Sequence, residues 1–434
     1  EPSVEHCSLL MHKIYNTSFS ELQIKTQLAK ESVIDLTWDN CVQKNVKFFN
    51  QLLESNPNKN SLRVGWVSTW NSRCGLASYS RYLIQNLVTD VKIYAPIDEK
   101  RIGADEQNVY RCWSINRELT DLKRCIIEDK ITSLIIQFNY GLFDFTELSS
   151  LINFLKNKSI SVIIFLHSTS NPKFNLNKNL SIIKDDLGKC DRLLVHSPND
   201  LNRLKTLELT DNVSLFPHGI LSFDKKLDNT DNSWDPLTRN YQIKSAKKIN
   251  LASYGFCLPN KGFPELIYAI KILRDKRFNV HLHLRTASYS EDYRWFIDEL
   301  LTLIDQLKLK ESVCIDTHYY DDTSTLRFLS NVDLIVYPYQ CSNESCSGAI
   351  RQGLASGIPV AVTPLSIFDD VNSVIYKLPG TTSEAIAEGI QDWFVKGIAF
   401  RKSKINSSVF SAWRKEHSFS SLGLRLQGII NSLS

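Results

Sequence analysis

The chain has 434 residues, 43% of them apolar, and 51 Lys and Arg against 47 Asp and Glu leave a formal charge of +4. A single core stops growing well short of this length, so the composition predicts two cores and excludes a disordered chain. So slight a basic excess gives no ground for a nucleic-acid partner.

The ten cysteines are scattered, with no Cys-x-x-Cys and no paired histidine spacing that would hold zinc, and are read as reduced thiols of a cytoplasmic protein. No apolar run reaches the roughly 18 residues that a spanning helix needs, and no signal segment opens the chain. The expectation is a soluble protein, at most resting on the cytoplasmic face of a membrane.

Residues 1–57 are predicted to be a helical extension ending in an amphipathic stretch, Trp38 to Leu53, with apolar positions at Val42, Val46, Phe49 and Leu53. Their texture is similar to that of Phe410 to Leu433, which also runs from aromatic residues into an amphipathic helix. Two readings stand side by side: the tail of a preceding, similar module in a longer polypeptide, or an ordinary extension packed on the first domain. The first residue is Glu1 and the sole methionine is Met11, as expected of a piece of something longer.

From Leu62 onward, short β-branched and aliphatic runs alternate with helical segments, the pattern of parallel sheets with crossover helices. Strands are predicted at Leu62 to Ser68, Val91 to Tyr94, Ser133 to Gln137, Ser161 to His167, Arg192 to His196 and Val213 to Phe216. These are near-continuous apolar runs, as sheets covered on both faces require. The polar stretch Asp224 to Lys248 marks a connection between domains. A second series follows, with strands at Ile249 to Tyr254, Val280 to Leu284, Val313 to Asp316, Leu334 to Tyr337 and Val360 to Val362. The reading is α/β: two Rossmann-like doubly wound domains, 58–235 and 236–415, with ligands at the carboxyl ends of the strands.

Three turns carry chemistry. In VSTWNSRCGLASYSRY a strand ends, Gly75 follows and a helix begins, offering free N–H groups to an oxygen-rich ligand. In YGFCLPNKGF, Lys261 and Gly262 stand where a lysine can neutralise a diphosphate. In VYPYQCSNESCSGAIRQGLASGIPVAVT, Glu344 precedes the small-residue helix start Ser345, Ser347 and Gly348, and Gln352 lies one to two turns inside that helix, within reach of a ribose hydroxyl. Packing does not explain an acidic residue beside Ser-Cys-Ser-Gly. Among the histidines, His167 ends an apolar strand and is assigned a catalytic or acceptor-orienting role, whereas His196 and His218 are expected to be structural.

Together with IIQFNYGLF (135–143), FLHSTS (165–170), LLVHSPND and FPHGI, these segments resemble glycosyltransferase family 4, retaining enzymes of the GT-B fold. The resemblance runs from about Leu62 to the C-terminus. The block VDLIVYPYQCSNESCSGAIRQGLASGIPVAVTPLSIFDDV looks like the bacterial polysaccharide and O-antigen mannosyltransferases. The resemblance implies two domains facing across a cleft, with 416–434 a helix packing back on the first. It implies that Lys261 binds the donor diphosphate, that Glu344 contacts the donor sugar, and that Ser345, Ser347 and Gly348 hold phosphate. Cys74, Gly75, Asn139, Tyr140 and His167 would lie near the acceptor. Lys261, Glu344 and His167 are the implied catalytic set.

Two positions depart from the family. Gln352 replaces the second of two glutamates eight residues apart, and Phe256 stands where an arginine usually precedes the lysine by five; Arg285 is the expected substitute for that arginine. The implied partners are a nucleotide sugar, GDP-mannose or a UDP-sugar, and a glycan or lipid-linked glycan acceptor, with no metal or other cofactor. The rival readings are a degenerate GT-B module that binds without transferring, partner to an active upstream domain, and a nucleotide-sugar epimerase. A Rossmann oxidoreductase lacks its fingerprint, since no glycine-rich dinucleotide motif follows any strand.

Overall fold

The computed structural model describes residues 4–34, 37, 40, 42, 43, 46, 62–172, 175, 177–222, 248–288, 291–342 and 344–433. The chain divides into two compact units, Glu1–Ser61 and Leu62–Ser434. In the first unit, helices span Val4–Tyr15 and Phe19–Val33. Ser18 caps the second, its Oγ accepting from the Glu21 N–H at 3.3 Å. Leu9, Met11, Ile14, Ile24 and Leu28 are exposed. Most of the predicted stretch Trp38 to Leu53 lies outside the described residues, Phe49 and Leu53 included; Val42 and Val46 are described and exposed.

The second unit is built on two sheets. The first contains β1 (Val64–Val67), β2 (Val91–Pro96), β3 (Val109–Trp113), β4 (Ser133–Phe138), β5 (Ser161–Leu166), β6 (Arg192–Val195) and β7 (Val213–Leu215), in the order β3-β2-β1-β4-β5-β6-β7. The second contains β8 (Ile249–Tyr254), β9 (Val280–Arg285), β10 (Val313–Asp316), β11 (Leu334–Tyr337), β12 (Val360–Val362) and β13 (Tyr376–Lys377), in the order β10-β9-β8-β11-β12-β13. All pairings are parallel.

Every strand expected from the sequence forms, and two edge strands, β3 and β13, add to them. In each sheet the strand order reverses beside the central strand, between β1 and β4 and between β8 and β11. Crevices open at such reversals, outside the carboxyl ends of the strands. The central strands are buried on both faces: Leu134, Ile135 and Ile136 of β4 and Ile335 and Val336 of β11 are fully covered. Helices on both faces supply that cover, as the apolar runs require.

The predicted connection Asp224 to Lys248 lies outside the described residues apart from Lys248. The described chain joins the two halves again near its end, where the Ile220 N–H donates to His417 O at 2.8 Å and the Phe419 N–H to Ile220 O at 3.2 Å. The helix Phe419–Ser432 then lays Phe419, Leu422, Leu426 and Ile430 into one cluster with Trp66, Tyr79 and Leu83 of the first half. Among the described residues, no helix is long and apolar enough to cross a membrane.

Candidate functional site

The second half builds its part of the site on the loops after β8 and β11. After β8 the chain makes a short turn, Pro259–Lys261, and Gly262 follows at φ +74°. A Cβ at Gly262 would stand 1.8 Å from the Pro338 carbonyl oxygen, so only glycine lets this turn lock against the end of β11.

The lock fixes the side chain before it. Lys261 is 8% exposed, its Nζ 4.0 Å from the centroid of the Tyr339 ring and 3.9 Å from Glu344 Oε2. Burial works against its charge, but Tyr339 and Glu344 outweigh it and hold the pKa above the usual lysine value. Lys261 is therefore a buried ammonium whose one carboxylate neighbour is at arm's length and itself largely in solvent.

Beside it starts the helix Gly348–Ala355. Ser347 caps it, its Oγ accepting from the Ile350 N–H at 3.4 Å and sharing a hydrogen bond with the Tyr339 hydroxyl at 3.0 Å. Nothing lies within 4 Å of where a Gly348 Cβ would be, so there is open space beside the first turn, whose leading N–H groups have no acceptor within the helix. A basic side chain and a helix N-terminus at one corner both offer positive charge and hydrogen-bond donors, the chemistry that an anion requires.

Other predicted donor residues have found protein partners. Ser345 donates to Asp200 Oδ1 of the first half at 2.6 Å. The buried Asp200 also accepts from Ser197, Thr169 and Arg203. Ser345 thus ties the halves together. Gln352 Nε2 donates to Asp322 Oδ1 at 2.6 Å, and its Oε1 is buried without a partner. Arg285 does not join Lys261: its guanidinium lies 4.0 Å from the ring centroids of both Tyr320 and Phe328, and Nη1 donates to Ser324 O at 3.2 Å. Phe256 stacks on Tyr319, 6.3 Å between centroids, and Arg73 of the first half sits 5.3 Å over the same Tyr319 ring.

In the first half, Cys74 stands at the N-cap of the helix Gly75–Ile84 without a side-chain cap. Space around Gly75 is open. Asn139 and Tyr140 hold their own loop: Asn139 Oδ1 accepts from the Gly141 N–H at 3.0 Å, and the Tyr140 hydroxyl donates to Asn171 Oδ1 at 2.9 Å. His167, at the end of β5, has Nε2 2.7 Å from Gln137 Oε1 and Nδ1 3.1 Å from His196 Nε2. His196 Nδ1 lies 2.9 Å from Phe216 O and must donate to it.

A neutral His196 then has only a lone pair left at Nε2, so His167 Nδ1 donates to it and His167 Nε2 accepts. The Gln137 amide must accordingly present its nitrogen, otherwise buried without a partner, to the ring. Burial pushes His196 down to about 4 and His167 and His218 well below their usual range. All three surround the Tyr79 ring, at 5.0, 5.5 and 4.9 Å for His167, His196 and His218. The cluster is neutral and internally bonded: both nitrogens of His167 and of His196 have protein partners, and burial keeps the rings from taking up a proton at neutral pH.

Sequence reasoning passed over Tyr79, Arg81, Asp200, Tyr319, Asp322 and Arg351. Asp200 had a local signal, the capping box Ser197 to Asp200. The others are joined only by the fold: Arg351, buried and paired with Asp370, carries its charge close to Tyr79, His196 and His218. Among the described residues no three His, Cys, Asp or Glu side chains group as metal ligands would.

No family model and no curated protein matches the sequence. Solved structures do match in fold. HepE of Anabaena, in complex with UDP and glucose, is 13% identical with a TM-score of 0.64, covering 86% of this chain and 100% of its own. Sucrose-phosphate synthase of Thermosynechococcus elongatus is 13% identical with a TM-score of 0.64, covering 86% of this chain and 99% of its own. The trehalose-phosphate synthase of Burkholderia xenovorans in complex with glucose-6-phosphate is 10% identical with a TM-score of 0.65, covering 85% and 100%. At these identities the likeness is one of fold, and the fold of residues from Leu62 onward is GT-B.

Proposed function

We propose that the chain is a glycosyltransferase that moves a hexose from a nucleotide sugar to a glycan acceptor. The observation that carries this reading is Lys261: a charged ammonium kept at 8% exposure beside an open helix N-terminus, with its carboxylate neighbour 3.9 Å away. Burying such a charge is costly unless a partner meets it, and the diphosphate of a donor supplies one.

In the reaction, the bond from the anomeric carbon to the diphosphate oxygen breaks and the pair of electrons leaves with the nucleoside diphosphate. Lys261 and the N–H groups of Gly348 and Ala349 stabilise the charge that develops there. The acceptor hydroxyl attacks the same face, and its proton passes to the departing phosphate oxygen, so configuration is retained. Glu344 holds the hydroxyls of the transferred sugar; both ring nitrogens of His167 are taken by Gln137 and His196, so His167 shapes the acceptor wall and makes no hydrogen bond to the acceptor. The block from Val332 to Val371 favours mannose and a bacterial polysaccharide or O-antigen chain, free or lipid-linked. The UDP and glucose in HepE favour a UDP-hexose as the competing donor.

Saturation-transfer NMR with GDP-mannose, UDP-glucose and UDP-N-acetylglucosamine, repeated on Lys261→Ala, tests the reading. One donor bound selectively, and lost in the variant, supports it and names the substrate; no binding to any of the three sinks it.

A second reading has its own observation. Phe256 offers a phenyl ring where a second cation is expected, and Arg285 is engaged elsewhere. A module that binds nucleotide sugar or glycan without transfer, partner to an active domain, fits that deficit. Donor binding with no release of nucleoside diphosphate over hours with a range of glycans separates it from the first.

A further inference from the structure

Glu344 has little of its own to hold it in place. Its side chain is 62% exposed, Lys261 Nζ stands 3.9 Å away, and its N–H donates to Ser342 Oγ of the same loop at 3.1 Å. The next residue is anchored elsewhere. Ser345 is buried, and its Oγ donates at 2.6 Å to Oδ1 of Asp200, in the first turn of the helix Pro198–Thr206 of the first half.

The Asp200 carboxylate is fully buried and fixed by four hydrogen-bond donors of its own half. Thr169 Oγ1 at 2.6 Å and Arg203 Nη1 at 3.1 Å meet Oδ1; the Ser197 N–H at 3.0 Å and Ser197 Oγ at 2.6 Å meet Oδ2. With Ser345 as the fifth, the roughly four lone-pair sites of a carboxylate are all taken. No capacity is left for a substrate hydroxyl or for a proton in transfer, so Asp200 is neither a ligand contact nor a base. It reaches across instead, a rigid carboxylate of one half holding an exposed loop of the other through a charge-assisted hydrogen bond, one of the stronger kinds.

The parts of the donor corner therefore differ in what holds them. Lys261 and the helix start at Ser347 are fixed inside the second half, by Gly262 against Pro338 and by the Ser347 cap. Glu344 is fixed from the first half. A group that binds to the ammonium and the helix start does not depend on Asp200, whereas one that binds to Glu344 does.

We propose that Asp200 is a positioning residue for the transferred sugar. Acting through Ser345, it sets where the Glu344 carboxylate stands, and so how well the site holds a sugar-bearing nucleotide relative to the bare nucleoside diphosphate. The proposal rests on the donor-site reading above.

Calorimetric titration of the wild type and of Ser345→Ala with UDP, GDP, UDP-glucose, UDP-N-acetylglucosamine and GDP-mannose tests it. The variant leaves Asp200 the four donors of its own half, so it should fold, and the midpoint of thermal unfolding checks that it does. It should bind the nucleoside diphosphate as the wild type does, while the sugar nucleotide of the same base weakens by roughly 3- to 30-fold, within the range for one hydrogen bond to a charged group. In a Glu344→Ala background the same substitution should change neither affinity, because its effect passes through Glu344. A folded Ser345→Ala that leaves the ratio of the two affinities unmoved overturns the proposal. So does one that weakens both ligands alike, or that adds its full effect to that of Glu344→Ala. A wild type that binds a nucleoside diphosphate but none of the sugar nucleotides overturns it too. If no nucleotide binds the wild type at all, the donor-site reading falls and this assignment with it, an outcome distinct from the others.

Discussion

At Gly262 a single missing methyl decides whether the site exists. The residue stands at φ +74° with the Pro338 carbonyl where a Cβ would go. Alanine there meets the left-handed penalty of about 1–2 kcal/mol and also forces backbone apart. Gly262→Ala should therefore cost about 2 kcal/mol or more, read as a lowered midpoint of thermal unfolding, and should displace Lys261 so that nucleoside diphosphate binding goes with it. A variant that unfolds and binds like the wild type would show the turn to be placed wrongly. The histidines around Tyr79 make a second residue-scale prediction. Their pKa values are depressed by burial, to about 4 for His196, against about 6.5 in an unfolded chain. The folded state then binds fewer protons, so the stability they contribute is whole above about pH 6.5 and drains away as pH falls toward 4. The slope is at most about 1.4 kcal/mol per pH unit for each histidine. His218→Phe should keep the ring packing on Tyr79 and flatten the dependence between pH 6.5 and 4.5 by one histidine's share. An unchanged slope would mean that His218 is not held neutral.

The helix Phe419–Ser432 shows what an element needs beyond its own pattern. Its apolar positions bury Leu422, Leu426 and Ile430, but the close approach on its neighbour depends on Gly423, where a Cβ would lie 2.5 Å from Asn86 O. Gly423→Ala should raise the helix's own propensity by about 1 kcal/mol and still destabilise the molecule, by about 1–3 kcal/mol, because a backbone carbonyl cannot yield as a side chain can. Chemical denaturation measures the net sign; a gain in stability would mean that the helix tolerates standing off. Most elements could be read from the chain because their information is local: β4 to β6, β11 and β12 are largely runs of covered apolar residues, and β9 alternates buried Val280, Leu282 and Leu284 with half-buried neighbours. The edge strand β3, Val-Tyr-Arg-Cys-Trp, was missed because only its last two residues are buried and Arg111 sits among acidic groups from other loops. The same limit holds in the site. Lys261, Gly262, Glu344 and the helix start at Ser347 share short stretches and were found together. Gln352, Ser345 and Arg285 were found too, but their partners Asp322, Asp200 and the Tyr320–Phe328 pair are set by tertiary contact and could not be read from spacing.

Among the described residues from Leu62 onward, the two halves are held together by contacts of unequal strength. Ser345 to Asp200 is a buried hydrogen bond to a charged group and should be lasting. The stack of Phe256, Tyr319 and Arg73 is a clasp of a softer kind, an aromatic pair and a cation over a ring, worth about 0.5–2 kcal/mol. It crosses between the halves near the N-terminus of the helix Gly75–Ile84. A ligand bound between the halves must arrive when that clasp is undone, so the clasp lowers affinity by the fraction of time it is shut. Tyr319→Ala should therefore speed association of a nucleoside diphosphate by roughly 2- to 30-fold, the range that follows from the energy of the stack. Dissociation should speed up less, because the bound ligand supplies its own contacts to both walls. Stopped-flow fluorescence of the eight-tryptophan chain on mixing with UDP or GDP reads both rates. An association rate that does not move would mean that the route in lies elsewhere and that the stack only packs the halves. A slower one would mean that Tyr319 receives the ligand, with its ring serving as a surface on which the base stacks.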